Sequence, residues 1–127
     1  MIAYFDTSSI VPLIVAEPGS EQARRHWQSC ERVVRTRVVD AEGRAALPMA
    51  VDRLEAIYDR LELLEVSDRL VREAGRLAKR MRCGATTGCT WQGLRFAKAA
   101  AGEVLFVAGD GLLCRAAEAI GLEVVRT

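Results

Sequence analysis

The chain has 127 residues, 50% of them apolar and 28% charged, the size and composition of a single globular domain with a core of its own. Eighteen Lys+Arg against 17 Asp+Glu leave a formal charge of +1, which excludes a bulk polycation or an acidic tail protein but not a local basic face. No apolar run approaches the roughly 18 residues a membrane span needs, so no membrane association is expected.

In chain order, Ile2-Ala3-Tyr4-Phe5 is a short apolar strand that runs straight into Asp6. That opening lacks a basic segment and meets a carboxylate at once, unlike a secretory leader. Thr7-Ser8-Ser9 supply capping residues for a short helix through Val15, with Pro12 tolerable in its opening turn. After the Glu17-Pro18-Gly19 turn, Ser20 caps a helix to about Cys30. Arg32 to Val39, rich in Val and Thr, reads as the second strand. Asp40 opens a third helix, and Pro48 kinks it or restarts it toward Arg60. Leu61 to Val66 reads as a short third strand, although its pattern also fits helix, and Ser67-Asp68 cap a helix on which Leu70, Val71, Ala74, Leu77 and Ala78 recur at helical spacing. Cys83 to Gly88, with two glycines, reads as a loop, and Trp91 to Ala101 as a helix ended by Gly102. Val104 to Ala108 is a strand apolar enough to be buried on both faces. Asp110 then leads a helix to about Ile120, and Leu122 to Val125 is the last strand. Alternating strands and helices predict an α/β fold, a three-layer α/β/α domain spanning 1–127 on a mainly parallel five-stranded sheet.

Asp6 and Asp110 share one local grammar: apolar strand, acid, helix. Each can simply cap the helix that follows it. Ligands of an open parallel sheet, however, bind at the carboxyl ends of its strands. Two carboxylates meeting there favour a hard cation such as Mg²⁺ or Mn²⁺. Glu42, in the first turn after the second strand, points its side chain back toward the same rim. Asp40 and Glu17 are further acids, expected to serve as a cap and as a solvated turn residue. The four cysteines (Cys30, Cys83, Cys89, Cys114) and the single histidine, His26, lack zinc-site spacing and fit reduced thiols in a cytoplasmic protein. His26 and Trp27 are assigned to packing or to a dimer surface.

The stretch Met1 to Ser20, built around Tyr4-Phe5-Asp6-Thr7-Ser8-Ser9, resembles the opening of PIN-domain proteins, especially VapC-like toxins of toxin–antitoxin systems. Thr36 to Leu47, carrying Glu42, is similar to the second acidic motif of that family, and Leu105 to Leu113, carrying Asp110, to its late one. The resemblance covers essentially the whole chain, with the same order of elements. It implies a metal-dependent endoribonuclease with Mg²⁺ or Mn²⁺ held by Asp6, Glu42 and Asp110, and Ser8 supporting the first acid. It further implies an RNA substrate, an antitoxin partner and a homodimer.

One position departs from the family pattern. The family carries another acid near the start of the helix before the fourth strand, and aligning Leu94, Ala97 and Ala99 with its apolar positions sets Gln92 there. Residues 83–101 contain no Asp or Glu at all. An amide keeps an oxygen but removes a charge, so reduced activity, or a degenerate domain that only binds RNA or protein, is the alternative expectation.

Of the 18 basic residues all but Lys79 and Lys98 are arginine, the better residue for gripping phosphate or carboxylate in a bidentate way. Arg69, Arg72, Arg76 and Arg80 fall on one helix face, either a solvated polar face or a surface for phosphates or an acidic partner segment. Arg95 and Lys98 flank Gln92, and Trp91 is assigned to the core ahead of base stacking.

Overall fold

A computed structural model describes every residue from Met1 to Thr127. Its elements are β1 (Ile2–Phe5), α1 (Thr7–Ile14), α2 (Ser20–Ser29), β2 (Arg32–Thr36), α3 (Val39–Ala46) and α4 (Val51–Tyr58). They continue with β3 (Leu61–Leu64), α5 (Asp68–Met81), α6 (Ala85–Ala101), β4 (Leu105–Ala108), α7 (Gly111–Ala119) and β5 (Val124–Arg126). The five strands form one sheet in the order β3-β2-β1-β4-β5, every pairing parallel. No helix is long and apolar enough to cross a membrane.

Strand alternation divides the core into two layers. Ala3 and Phe5 of β1 with Leu105 and Val107 of β4 face a cluster holding Ile10, Trp27 and Leu54. Tyr4 and Phe106 face the other way, onto Leu77, Trp91, Leu94 and Ala117 of α5, α6 and α7. Trp91 is a core residue, 5.5 Å from the Phe106 ring, and is therefore closed to base stacking. Trp27 packs edge-on to Phe5 at 5.3 Å, so the packing half of its assignment holds.

Several boundaries differ from the sequence reading, each for a tertiary reason. The second strand stops at Thr36, because Val38 turns helical and Val39 spends its apolar side chain beneath the sheet beside Leu54. Asp40 does not cap α3; it pairs with Arg44 at 2.9 Å, one turn along. Ser20 is already inside α2, and its hydroxyl accepts from the Glu17 amide at 2.9 Å and donates to the Val15 carbonyl at 3.1 Å, tying the turn together. Ser67 caps α5 as expected, accepting from the Leu70 amide at 3.1 Å. The expected loop Cys83–Gly88 is mostly helix, since α6 starts at Ala85.

Gly88, one of the two glycines behind that loop reading, lies inside α6, as does Gly93. Glycine weakens an isolated helix by about 1 kcal/mol, but here it lets α6 approach its neighbours closely. A Cβ at Gly88 would meet the Ala74 carbonyl at 2.6 Å, and one at Gly93 would meet Tyr4 Oη at 3.0 Å and press harder still on Thr36. Gly93→Val is accordingly expected to cost about 1–3 kcal/mol by overpacking. A urea midpoint unchanged from wild type would show that α6 can lift from the sheet without penalty.

Candidate functional site

The strand order changes direction between β1 and β4. The chain steps outward from β1 to β2 and β3, then returns to the opposite side of β1 with β4. Such a switch point opens a crevice at the carboxyl ends of the two strands, where ligands of open α/β sheets bind. Asp6 and Asp110 stand there, since Phe5 is in register with Val107 and each acid follows within three residues.

Both acids cap helices, and both do so with a single oxygen. Asp6 Oδ2 accepts from the Ser8 amide at 3.0 Å and from the Ser8 hydroxyl at 2.6 Å. Asp110 Oδ1 accepts from the Leu112 and Leu113 amides at 2.8 and 3.2 Å. Ser8 Oγ also accepts from the Gly109 amide at 2.9 Å and the Asp110 amide at 3.3 Å. One hydroxyl therefore ties the two strand-end loops together and orients the first acid. Gly109 is needed for that closeness, because a Cβ there would lie 2.8 Å from the Ser8 carbonyl oxygen.

Glu42 reaches the same rim from the first turn of α3. Its Oε2 accepts from Thr7 Oγ1 at 2.5 Å and from the Arg35 guanidinium. Asp6, Glu42 and Asp110 share the wall of one open recess of about 530 Å³ with Thr7, Thr87 and Thr90. The three acids expected from the sequence thus line one recess.

Arg35 was not anticipated as a site residue. It lies in β2, is 0% exposed, and its guanidinium fills the ground between Asp6 and Glu42. Nη1 donates to Thr90 Oγ1 at 3.1 Å and to Tyr4 Oη at 3.3 Å, and lies 3.7 Å from Asp6 Oδ1. Nη2 donates to Thr7 Oγ1 at 3.2 Å and to Glu42. Burial acts to lower its pKa, but the charges of Tyr4, Asp6 and Glu42 outweigh burial and hold the group above its ordinary value. Arg35 is a fixed internal cation. The signal available in the sequence was an arginine set inside Val33-Val34-Arg35-Thr36, an otherwise apolar buried strand.

Gln92 does not join this site. It is 3% exposed, on the α5 side of α6, where its amide donates to Glu73 Oε2 and its Oε1 has no partner. It lines a separate recess of about 510 Å³ with Arg69, Arg76, Arg80, Arg95 and Phe96. The positions of α6 that do reach the acid recess hold Thr87 and Thr90. Gln92 is therefore corrected as a member of the acid site: the recess has no fourth acid, and threonines stand where α6 meets it.

The donor set has the chemistry of a hard-cation site. Every ligand atom on offer is a carboxylate or hydroxyl oxygen, and in each acid the oxygen fixed by the fold leaves a second one. No hydrogen bond reaches Glu42 Oε1 or Asp110 Oδ2, and only Arg35 approaches Asp6 Oδ1. No three acids stand close enough to grip an ion by themselves. A cation here would therefore have one or two direct carboxylates and would keep several waters, a ligand set that Mg²⁺ tolerates. Fixing one carboxylate oxygen by hydrogen bonds is the usual support for a ligating group.

Other chemistries find less here. The Cys89 thiol is pushed up by burial and by the Glu42 charge, against the pull of Arg35, so it is not primed as a thiolate. All four cysteines are free. No family model matches the chain, and no curated protein matches it either.

Proposed function

We propose that the domain is a metal-dependent endoribonuclease of the VapC-like type, working at the recess formed by Asp6, Glu42 and Asp110. The observation that supports this reading is that three carboxylates, from three different strand-to-helix junctions, line one recess at the switch point of a parallel sheet. Bound Mg²⁺ or Mn²⁺ would supply Lewis acidity toward a water and a phosphate oxygen. The chain's own residues do the rest. Asp6, Glu42 and Asp110 present the ligating oxygens, Ser8 holds Asp6 in its rotamer, and Thr7 holds Glu42. Arg35 keeps Asp6 and Glu42 at a fixed spacing. This reading carries an RNA substrate, an antitoxin protein that restrains the activity, and a second copy of the chain as partner.

A second reading is a catalytically degenerate domain that binds RNA or protein, and Arg35 favours it. A guanidinium already neutralises part of the acid set, and α6 adds only hydroxyls. Cleavage of a labelled RNA with Mn²⁺ separates the two. Asp6→Asn keeps an acceptor for Ser8 while removing the charge, and is expected to slow cutting by about a hundredfold or more. Equal residual cutting by wild type and Asp6→Asn would mean a contaminating nuclease and would leave the degenerate reading.

A further inference from the structure

The recess between α5 and α6 shares no wall residue with the acid site, and its chemistry is opposite in sign. Arg76 and Arg80 enter it from α5 and Arg95 from α6, all three exposed and none in an ion pair. Arg69 is differently employed: it pairs with Glu73 at 3.1 Å and lies 5.4 Å from the centre of the Phe96 ring. Glu73 Oε2 in turn accepts one hydrogen bond from Gln92 Nε2, which orients that side chain. The carbonyl oxygen Oε1 is then left as a buried acceptor with no partner, on a side chain 3% exposed. An unpaired buried acceptor costs about 1–3 kcal/mol. Gln92 also lines the basic recess, so a ligand seated there lies against the side chain that carries this unpaired acceptor.

We infer that this recess is a binding site for a phosphorylated nucleoside unit, with Arg76, Arg80 and Arg95 on its phosphates and Gln92 Oε1 accepting from a base amino or sugar hydroxyl group. Guanidiniums grip phosphate oxygens in bidentate fashion. Three of them converging from two helices onto one concavity suit a compact, multiply charged group. An extended acidic peptide sets same-side carboxylates about 6.6 Å apart, which suits a stripe along one helix rather than a pit between two. The ligand must also carry a hydrogen-bond donor set apart from its anionic end, as a nucleoside does on its base and sugar; phosphate or pyrophosphate offers only an ionisable P–OH on the group the arginines already hold. The site is independent of the nuclease reading, because it draws on none of the acids of the other recess.

Calorimetric titration of the full chain with adenosine 5′-diphosphate, with pyrophosphate and with a short single-stranded oligonucleotide tests it. Arg80→Ala/Arg95→Ala is expected to raise Kd for diphosphate and pyrophosphate by about tenfold or more. Gln92→Met is expected to weaken the diphosphate by about tenfold while leaving pyrophosphate nearly unchanged, a split that loss of charge alone cannot produce. Asp6→Asn leaves both constants as in wild type, which keeps this result separate from the fate of the nuclease reading. Should Gln92→Met fold poorly, the exposed arginine variants still carry the test. Binding of the free diphosphate makes the ligand a nucleotide; binding of the oligonucleotide alone, with the same variant pattern, makes it a unit within a strand. The inference is overturned if neither binds, if the arginine variants bind as wild type does, or if a glutamate-rich peptide binds more tightly than both.

Discussion

Arg35→Met is expected to cost about 3 kcal/mol of stability or more, and to make what remains depend on a divalent cation. The side chain is 0% exposed, and its carboxylate partners Asp6 and Glu42 are only 13% and 19% exposed. Removing one member of a buried ion pair leaves the other charge without compensation, which is far more costly than losing a surface pair. The contrast lies within the same strand. Arg32 pairs with Glu62 at 2.6 Å, but both side chains are about half exposed, so water screens that pair and it contributes little. Methionine fills much of the arginine stem and leaves two carboxylates facing each other with only Thr7, Thr90 and Tyr4 hydroxyls between them. A divalent ion would then take the vacated electrostatic role, and binding to the folded state alone stabilises by mass action. Urea denaturation with and without Mn²⁺ measures both effects. The variant should gain distinctly more from Mn²⁺ than the wild type does. A variant as stable as wild type in metal-free buffer would end the assignment of Arg35 as the internal counter-ion.

Much of this site was open to sequence reasoning because its logic is local. Asp6 and Asp110 each sit where an apolar strand meets a helix, and a parallel sheet brings such junctions to one edge. Glu42 followed from the direction in which helical side chains lean. Arg35 was hidden by a different property: burial of a charge depends on partners 28 to 55 residues away, Thr7 and Thr90 among them, and no spacing rule reports that. The orientation of α6 was hidden for a third reason. Seven of its residues from Gly88 to Ala97 are buried, so apolar and small residues occupy most of its circumference and no single face stands out. Gly84 and Gly88 then suggested a loop where, from Ala85 on, close packing of Gly88 on Ala74 in fact holds a helix. The alignment of Leu94, Ala97 and Ala99 with the family's apolar positions set Gln92 at the acid rim, while the folded helix turns it toward Glu73. Tyr58 adds a similar long-range feature: its hydroxyl donates to the Val39 carbonyl at 2.8 Å, and burial with the Asp40 charge pushes its pKa up to about 12.

Thr90→Asp is expected to strengthen Mn²⁺ binding by about tenfold, whereas Gln92→Asp should change it by less than about twofold. Thr90 Oγ1 lies 3.1 Å from Arg35 Nη1 and on the wall of the acid recess, so a carboxylate there sets four acids against one guanidinium in place of three. Aspartate differs little from threonine in size, and the new carboxylate keeps Arg35 as a partner, so the buried charge is compensated as it is introduced. The added oxygen also gives α6 a ligand where it now offers only hydroxyls. Gln92→Asp does something unrelated: it sets a second carboxylate beside Glu73 in the arginine-lined recess and removes the amide donor that Glu73 now uses. Its consequences belong to the α5–α6 packing, as a lowered melting temperature with no change in metal affinity. If the nuclease reading is right, Thr90→Asp should also raise Mn²⁺-dependent RNA cutting while Gln92→Asp does not. The reverse pattern, with Gln92→Asp tightening Mn²⁺ and Thr90→Asp inert, would mean that α6 presents the other face to the acids, and the site as described would have to be redrawn around Gln92.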